Sequence, residues 1–177
     1  MRKTVCICCE KPTVFHRLCF SCRRKVPSGY SLKNTDEDIV ATIRYNEQTK
    51  SEFKQTTCIG TLFLDTENNI FHIDNGFYRI RHLTGYSFYS GEPRFKYGLF
   101  GNFSVVADVY FSFTIMGQER RIRRIKTAVP CKYENTGTAV SVEPPACMQM
   151  AKHTFADMLE RELQLIDREV RFMQSFH

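Results

Sequence analysis

The chain has 177 residues, one domain of ordinary size or a domain with a small appendage, and at 42% hydrophobic and 25% charged its composition is globular rather than disordered. No run approaches the roughly 18 apolar residues of a membrane span, and the start, MRKTVCICCEK, lacks the apolar stretch of a secretion signal, so neither a spanning nor a secreted protein is expected. The net charge of +6 is lopsided: residues 1–33 carry eight Lys/Arg against Glu10 alone (+7), and the rest carries 17 basic against 18 acidic residues (−1).

Cysteine usage is equally uneven. Five of the eight cysteines fall between Cys6 and Cys22, whereas Cys58, Cys131 and Cys147 stand far apart and read as small buried hydrophobes. Clustering of this kind suits metal ligands in a reduced, cytoplasmic chain better than a disulfide framework. The motif is Cys6-x2-Cys9, nine intervening residues, then Cys19-x2-Cys22. Each C-x-x-C places two thiolates on one side of a tight turn, and two such turns complete a tetrahedron around Zn2+. Four thiolates leave no open position, so the expected site is structural and not catalytic. Pro12 turns the short connection, and Val14, Phe15 and Leu18 are placed to cap the site. Two alternatives stay open at this point: Cys8 or His16 in place of one ligand. Arg17, Arg23, Arg24 and Lys25 would offset the negative charge of a tetrathiolate centre.

Residues 1–26 are thus read as a zinc ribbon, and residues 27–35, starting Pro-Ser-Gly, as a linker. Residues 36–177 then form one β-rich domain with a terminal helix. Its expected strands are Ile39–Tyr45, Ile59–Asp65, Ile70–Ile73, Phe77–Arg81, His82–Tyr89, Val105–Ile115 and Arg120–Val129. The polar stretch Asn46–Gln55 reads as a short helix or a long loop. Along Val105–Ile115, the set Val105, Ala107, Val109, Phe111, Phe113, Ile115 is wholly apolar, which predicts one buried face. Beyond Glu143-Pro144-Pro145 neither Gly nor Pro occurs, and Met148, Ala151, Phe155, Met158/Leu159, Leu163, Ile166, Val170 and Met173 recur at three- and four-residue steps. That pattern predicts one long amphipathic helix, whose second half needs cover from the ribbon, a second copy or a partner.

Strands followed by a terminal amphipathic helix describe a pleckstrin-homology-like (PH-like) antiparallel barrel or sandwich, an α+β and mainly β architecture. The passage Tyr78-Arg79-Ile80-Arg81-His82-Leu83-Thr84-Gly85-Tyr86-Ser87-Phe88-Tyr89 and the turn Gly98-Leu99-Phe100-Gly101 resemble a group of uncharacterised bacterial proteins. Those proteins place a four-cysteine zinc ribbon before a PH-like domain of unknown function. The resemblance spans most of the chain and implies that architecture, with no activity attached.

No catalytic motif is present: there is no G-x-S-x-G, no H-E-x-x-H and no phosphate-cradling Gly-rich loop, and the histidines are isolated. One basic strip stands out, Arg120-Arg121-Ile122-Arg123-Arg124-Ile125-Lys126. On a strand, Arg120, Ile122, Arg124 and Lys126 share one face and Arg121, Arg123 and Ile125 the other, as expected of an edge strand guarded by cations. The expectation is therefore a non-enzymatic, cytoplasmic binding or adaptor protein acting through protein contacts. The alternative is a nucleic-acid binder using Arg17, Arg23, Arg24, Arg120, Arg121, Arg123, Arg124 and Lys126, or a small inhibitor carried by a mobile element.

Overall fold

A computed structural model describes residues 4–14, 16–97, 102–128, 131–132 and 146–176, and over these the chain is mixed α+β with more strand than helix. Residue Phe15, the Gly98–Gly101 turn, Val129 and the Glu143-Pro144-Pro145 segment lie outside the described residues. The chain opens with β1 (Thr4–Val5), β2 (Pro12–Thr13) and one turn of helix, α1 (Phe20–Arg23). Helix α2 (Asp36–Glu52) follows, then β3 (Thr57–Ile59), β4 (Leu62–Asp65), β5 (Ile70–Ile73) and β6 (Gly76–Arg79). After a 3-10 turn at Ile80–His82 come β7 (Leu83–Ser90), β8 (Arg94–Tyr97), β9 (Asn102–Ile115), β10 (Gln118–Thr127) and β11 (Cys131–Lys132). The last element is α3 (Ala146–Gln174), 29 residues long. No helix among the described residues is long and apolar enough to cross a membrane.

The strands lie in three sheets: the hairpin β1–β2, a four-stranded meander β3-β4-β5-β6, and a sheet in which β9 pairs β7, β8, β10 and β11. The strands pair antiparallel in these sheets, and among the described residues no sheet closes into a barrel. The chain divides into two compact units. The first comprises Met1–Tyr86, Ser112–Ile122 and Arg168–His177, and the second Ser87–Phe111 and Arg123–Asp167. The residues read from sequence as ribbon and linker therefore fall in the first unit, with α2 and the meander.

Three elements correct the sequence reading. The expected strand Ile39–Tyr45 is the first half of helix α2, which also absorbs most of the polar stretch after it. Its ends are set locally: the Thr35 hydroxyl accepts from the Asp38 N–H at 3.2 Å, and Asp36, Glu37 and Asp38 put negative charge on the first turn. Its buried face is Ile39, Ile43, Asn46 and Thr49, a helical spacing half of which is polar. The expected strand Ile59–Asp65 is a hairpin instead. Gly60, at a φ of 59°, starts a two-residue turn, and Ile59 pairs with Leu62 across it. Strand β8, charged and aromatic by turns, was not anticipated.

In the first unit, Cys6, Leu18, Cys22, Val26 and Tyr30 are buried in one cluster with Ile39 and Ile43 of α2. A separate run of buried side chains, including Leu62, Leu64, Ile70, Ile73 and Ile80, fills the meander, where Phe71 and Tyr78 meet Phe113 edge-on. Burying one such side chain is worth about 1.5–3 kcal/mol. Two asparagines fasten the segment after the ribbon. Asn46 donates to the Lys25 and Asn75 carbonyls, both at 3.0 Å, and accepts from the Phe77 N–H at 2.8 Å. Asn75 accepts from the Ser28 N–H and hydroxyl, and donates to the Val26 carbonyl at 2.7 Å.

In the second unit, the expected apolar face of β9 is buried at Val105, Ala107, Val109 and Phe111. Asp108, on the opposite face, takes ion pairs from Arg94 at 2.9 Å and Arg123 at 3.0 Å. The α3 portion in this unit docks through buried Phe155, Leu159 and Ile166, and through an ion pair between Glu162 and Lys126 at 2.9 Å. Further along the helix, Val170 and Met173 are each 1% exposed, so the chain itself covers that end of the stripe.

Candidate metal centre

The hairpin β1–β2 and the turn α1 place four sulfurs together. Cys6 follows β1, and its N–H donates to the Lys11 carbonyl at 2.8 Å. The chain then turns back on itself: the Glu10 N–H reaches the Cys6 carbonyl at 2.9 Å, with Glu10 at a φ of 60°. Cys9 therefore faces the same side as Cys6. Cys19 is the N-cap of α1 and Cys22 lies within it, so one turn of helix aligns the second pair. The two halves are tied by the Ile7 N–H donating to the Arg17 carbonyl at 3.0 Å.

The Sγ atoms of Cys6, Cys9, Cys19 and Cys22 all lie within 4.8 Å of one another, Cys9 and Cys19 at 3.5 Å. A tetrahedron with Zn–S bonds of about 2.3 Å has S···S edges of about 3.8 Å, so the donor set fits a tetrathiolate ion. Neither Cys8 nor His16 belongs to that four-sulfur cluster, although the Cys8 side chain reaches Cys22. Cys8 is half-buried against the apolar cluster, and His16 is exposed.

Backbone N–H groups point at the sulfurs. Burial works to raise the pKa of Cys6, but donors from Cys19, Cys8 and Cys9 outweigh it and bring it down to about 6. At Cys19 the Cys22 N–H is the main cause of a lowered pKa. Burial and the neighbouring cysteines hold Cys22 in the thiol form. An ion binding all four would displace the remaining protons, coupling its affinity to pH. Donors of this kind stabilise thiolate charge that bare sulfurs so close together would resist.

The basic residues around the cluster are largely engaged. Arg17 ion-pairs with Asp36 at the start of α2 and donates to the Leu32 and Asn34 carbonyls, both at 3.0 Å. Lys25 reaches Glu47 at 2.5 Å. Arg24 lies over the exposed Phe20 ring, 5.6 Å from its centroid. Arg23 is exposed and lines a cavity of about 320 Å³ with Leu18, Leu32 and Ile39. Of the expected caps, Leu18 is buried and Val14 is 71% exposed. Cys58, expected inside, is exposed.

The strip on β10 is divided by burial. Among the described residues β9 is the one strand that pairs with β10, which makes it an edge strand. Arg120 and Ile122, which share a face, are 4% and 3% exposed. Arg123 and Lys126 hold carboxylates of the second unit, and Arg121 and Arg124 are exposed with interactions of their own. The burial of Arg120 was hidden within a run of cations, and its parity with Ile122 was the one signal for it. No protein-family model, no curated protein and no solved structure matches the chain.

Proposed function

We propose that this is a non-enzymatic, cytoplasmic adaptor whose ribbon is built on one structural zinc ion held by Cys6, Cys9, Cys19 and Cys22. The observation that carries the reading is the four-sulfur cluster with backbone donors directed at it. Zinc supplies no chemistry there beyond a cross-link between the hairpin and α1, because four thiolates leave no position for water or substrate. The four-stranded meander, a second antiparallel sheet and a terminal helix are compatible with the PH-like body that the resemblance implies, although a fold by itself assigns no role. Exposed Met150 and Met158 on α3 supply an adaptable apolar surface suited to a protein partner. The nucleic-acid alternative is the weaker reading. Arg17, Arg123 and Lys126 are neutralised by carboxylates, and Arg120 is buried.

Two measurements test this. Elemental analysis of reduced protein should return about one zinc per chain, and less than about half an equivalent of any metal overturns the site. Capture of a host protein partner that is lost on Met150→Asp/Met158→Asp supports the adaptor reading. Tight duplex or single-strand binding that falls steeply with salt would replace it with the nucleic-acid reading.

A further inference from the structure

The first unit also contains a buried cation, unrelated to the cysteines, that opens a further possibility. Arg120 is 4% exposed, yet among the described residues it has no carboxylate partner. Its guanidinium stacks on Tyr30, 4.3 Å from the ring centroid, and donates to the Gln118 side-chain oxygen at 2.8 Å and the Glu119 carbonyl at 3.3 Å. Its Nε and the hydroxyl of Tyr78, itself 1% exposed, are buried with no well-formed hydrogen bond, and the two side chains are close enough to interact with each other. A buried cation with no counter-charge is strongly unfavourable, because neutral partners offset only part of its lost hydration.

Both side chains line the same cavity of about 240 Å³, beside α2 and the β9–β10 turn. Its remaining wall is mixed. Pro27, Ala41, Ile115 and Met116 are apolar, and Thr42 and Tyr45 are polar. Asp38 also lines it, and its carboxylate accepts from the Thr35 hydroxyl at 2.8 Å.

We propose that this cavity binds a small monoanionic carboxylate with an apolar body, its carboxylate facing Arg120 and the Tyr78 hydroxyl. A guanidinium and a phenol offer planar, directional donors that match a carboxylate. One cation balances one negative charge. A phosphate dianion would leave excess charge, and repulsion from Asp38, which any anion there meets, would be about twice as large for it as for a monoanion. The apolar wall receives the body of the ligand, and the volume suits a molecule of about ten heavy atoms. The site is independent of the zinc reading and gives the protein a ligand-responsive face.

The test is an NMR titration of the full zinc-loaded chain with sodium benzoate, neutral benzamide of the same shape, and inorganic phosphate. Benzoate should give saturable shifts at the amides of Thr42, Met116 and Gln118, with benzamide at least about tenfold weaker, the loss expected when a charge-assisted hydrogen bond is removed. Ala41→Phe, made at an exposed helical position on the cavity wall, should abolish the benzoate shifts without lowering the melting temperature. The proposal is overturned by absent or non-saturable benzoate shifts, by benzamide binding equally well, by phosphate binding more tightly than benzoate, or by an unaffected A41F variant.

Discussion

The ribbon and the β3–β6 meander occupy the same unit but are held by different means. The meander buries Leu62, Leu64, Ile70, Ile73, Tyr78 and Ile80, enough apolar surface to define its own core. The ribbon has two-residue strands, a one-turn helix and exposed Val5, Val14 and Phe20; its buried members are Cys6, Thr13, Leu18, Cys22 and Val26. Segments this small do not fold on apolar burial alone. On the proposed zinc reading the metal supplies what packing does not, and the ribbon is joined to the unit by Ile39, Ile43 and the asparagine pair.

The largest effect should come from breaking that dependence. Structural zinc contributes on the order of 10 kcal/mol to the folding of small sites of this type. Chelation, or Cys22→Ser, should release the metal and unfold residues 4–26. The apolar cluster is shared, so protection of α2 amides should fall as well, measured by hydrogen exchange. The meander amides of β4 and β5 should stay protected. Equal loss in both regions would mean that the two are not separately held.

Next comes the polar joint. Asn46→Ala leaves the Phe77 N–H and the Lys25 and Asn75 carbonyls without their partner in a site 2% exposed. Losing several buried partners at once predicts a destabilisation of about 3 kcal/mol, read by urea denaturation. Zinc content should not change, since no ligand is touched.

The meander has its own sensitive point in Asp65, which is fully buried. Burial alone would raise its pKa, but N–H donors from the Asn68 side chain and from the Asn68, Lys54 and Glu67 backbones outweigh it and hold it below the ordinary carboxylate value. A lowered folded pKa means that its stabilisation is present above the unfolded pKa of about 3.9 and is lost as pH falls through the folded value. Asp65→Ala should cost about 1–3 kcal/mol at neutral pH and flatten the acid limb of the stability curve. A curve parallel to that of the parent chain would remove Asp65 from this role.

What the sequence conveyed about these regions follows from how each is built. Thiolate spacing is a local code, so the four cysteines were readable directly, as was the long period of α3. Helix α2 was not, because Ile39, Val40, Thr42, Ile43 and Tyr45 favour strands one by one, and tertiary packing overrides that preference. Its buried face continues as Asn46 and Thr49, polar residues that carry no hydrophobic period. The capping pair Thr35 and Asp38 was the signal present. The cavity at Arg120 could not be read either, since it joins residues from Pro27, α2, β6 and β10 that are far apart in the chain.

Glycine 29 tests the same joint more gently. Its φ is 78°, and a Cβ there would lie 3.0 Å from the Arg121 carbonyl oxygen. Both the left-handed backbone and the close approach disfavour any side chain. Gly29→Ala should therefore destabilise the first unit by about 1 kcal/mol or slightly more, with zinc retained. A neutral or stabilising result would show that residues 27–30 shift freely over β10.

The smallest effect belongs to the charged link between ribbon and helix, and its size decides how the basic excess is understood. Arg17 and Asp36 form an ion pair in which both side chains are about half exposed, 45% and 50%. Water and salt screen such a pair, so its own worth is about 0–1 kcal/mol. Arg17 also donates to the Leu32 and Asn34 carbonyls, neutral acceptors that salt affects little. Arg17→Ala should thus lose more stability than Asp36→Asn, and only the Asp36→Asn loss should vanish in about 1 M salt. Chemical denaturation of both variants in urea at low and high salt separates the two contributions. If Arg17→Ala leaves stability unchanged at every salt concentration, the cation is not structural, and the positive charge of residues 1–33 becomes available to an acidic partner.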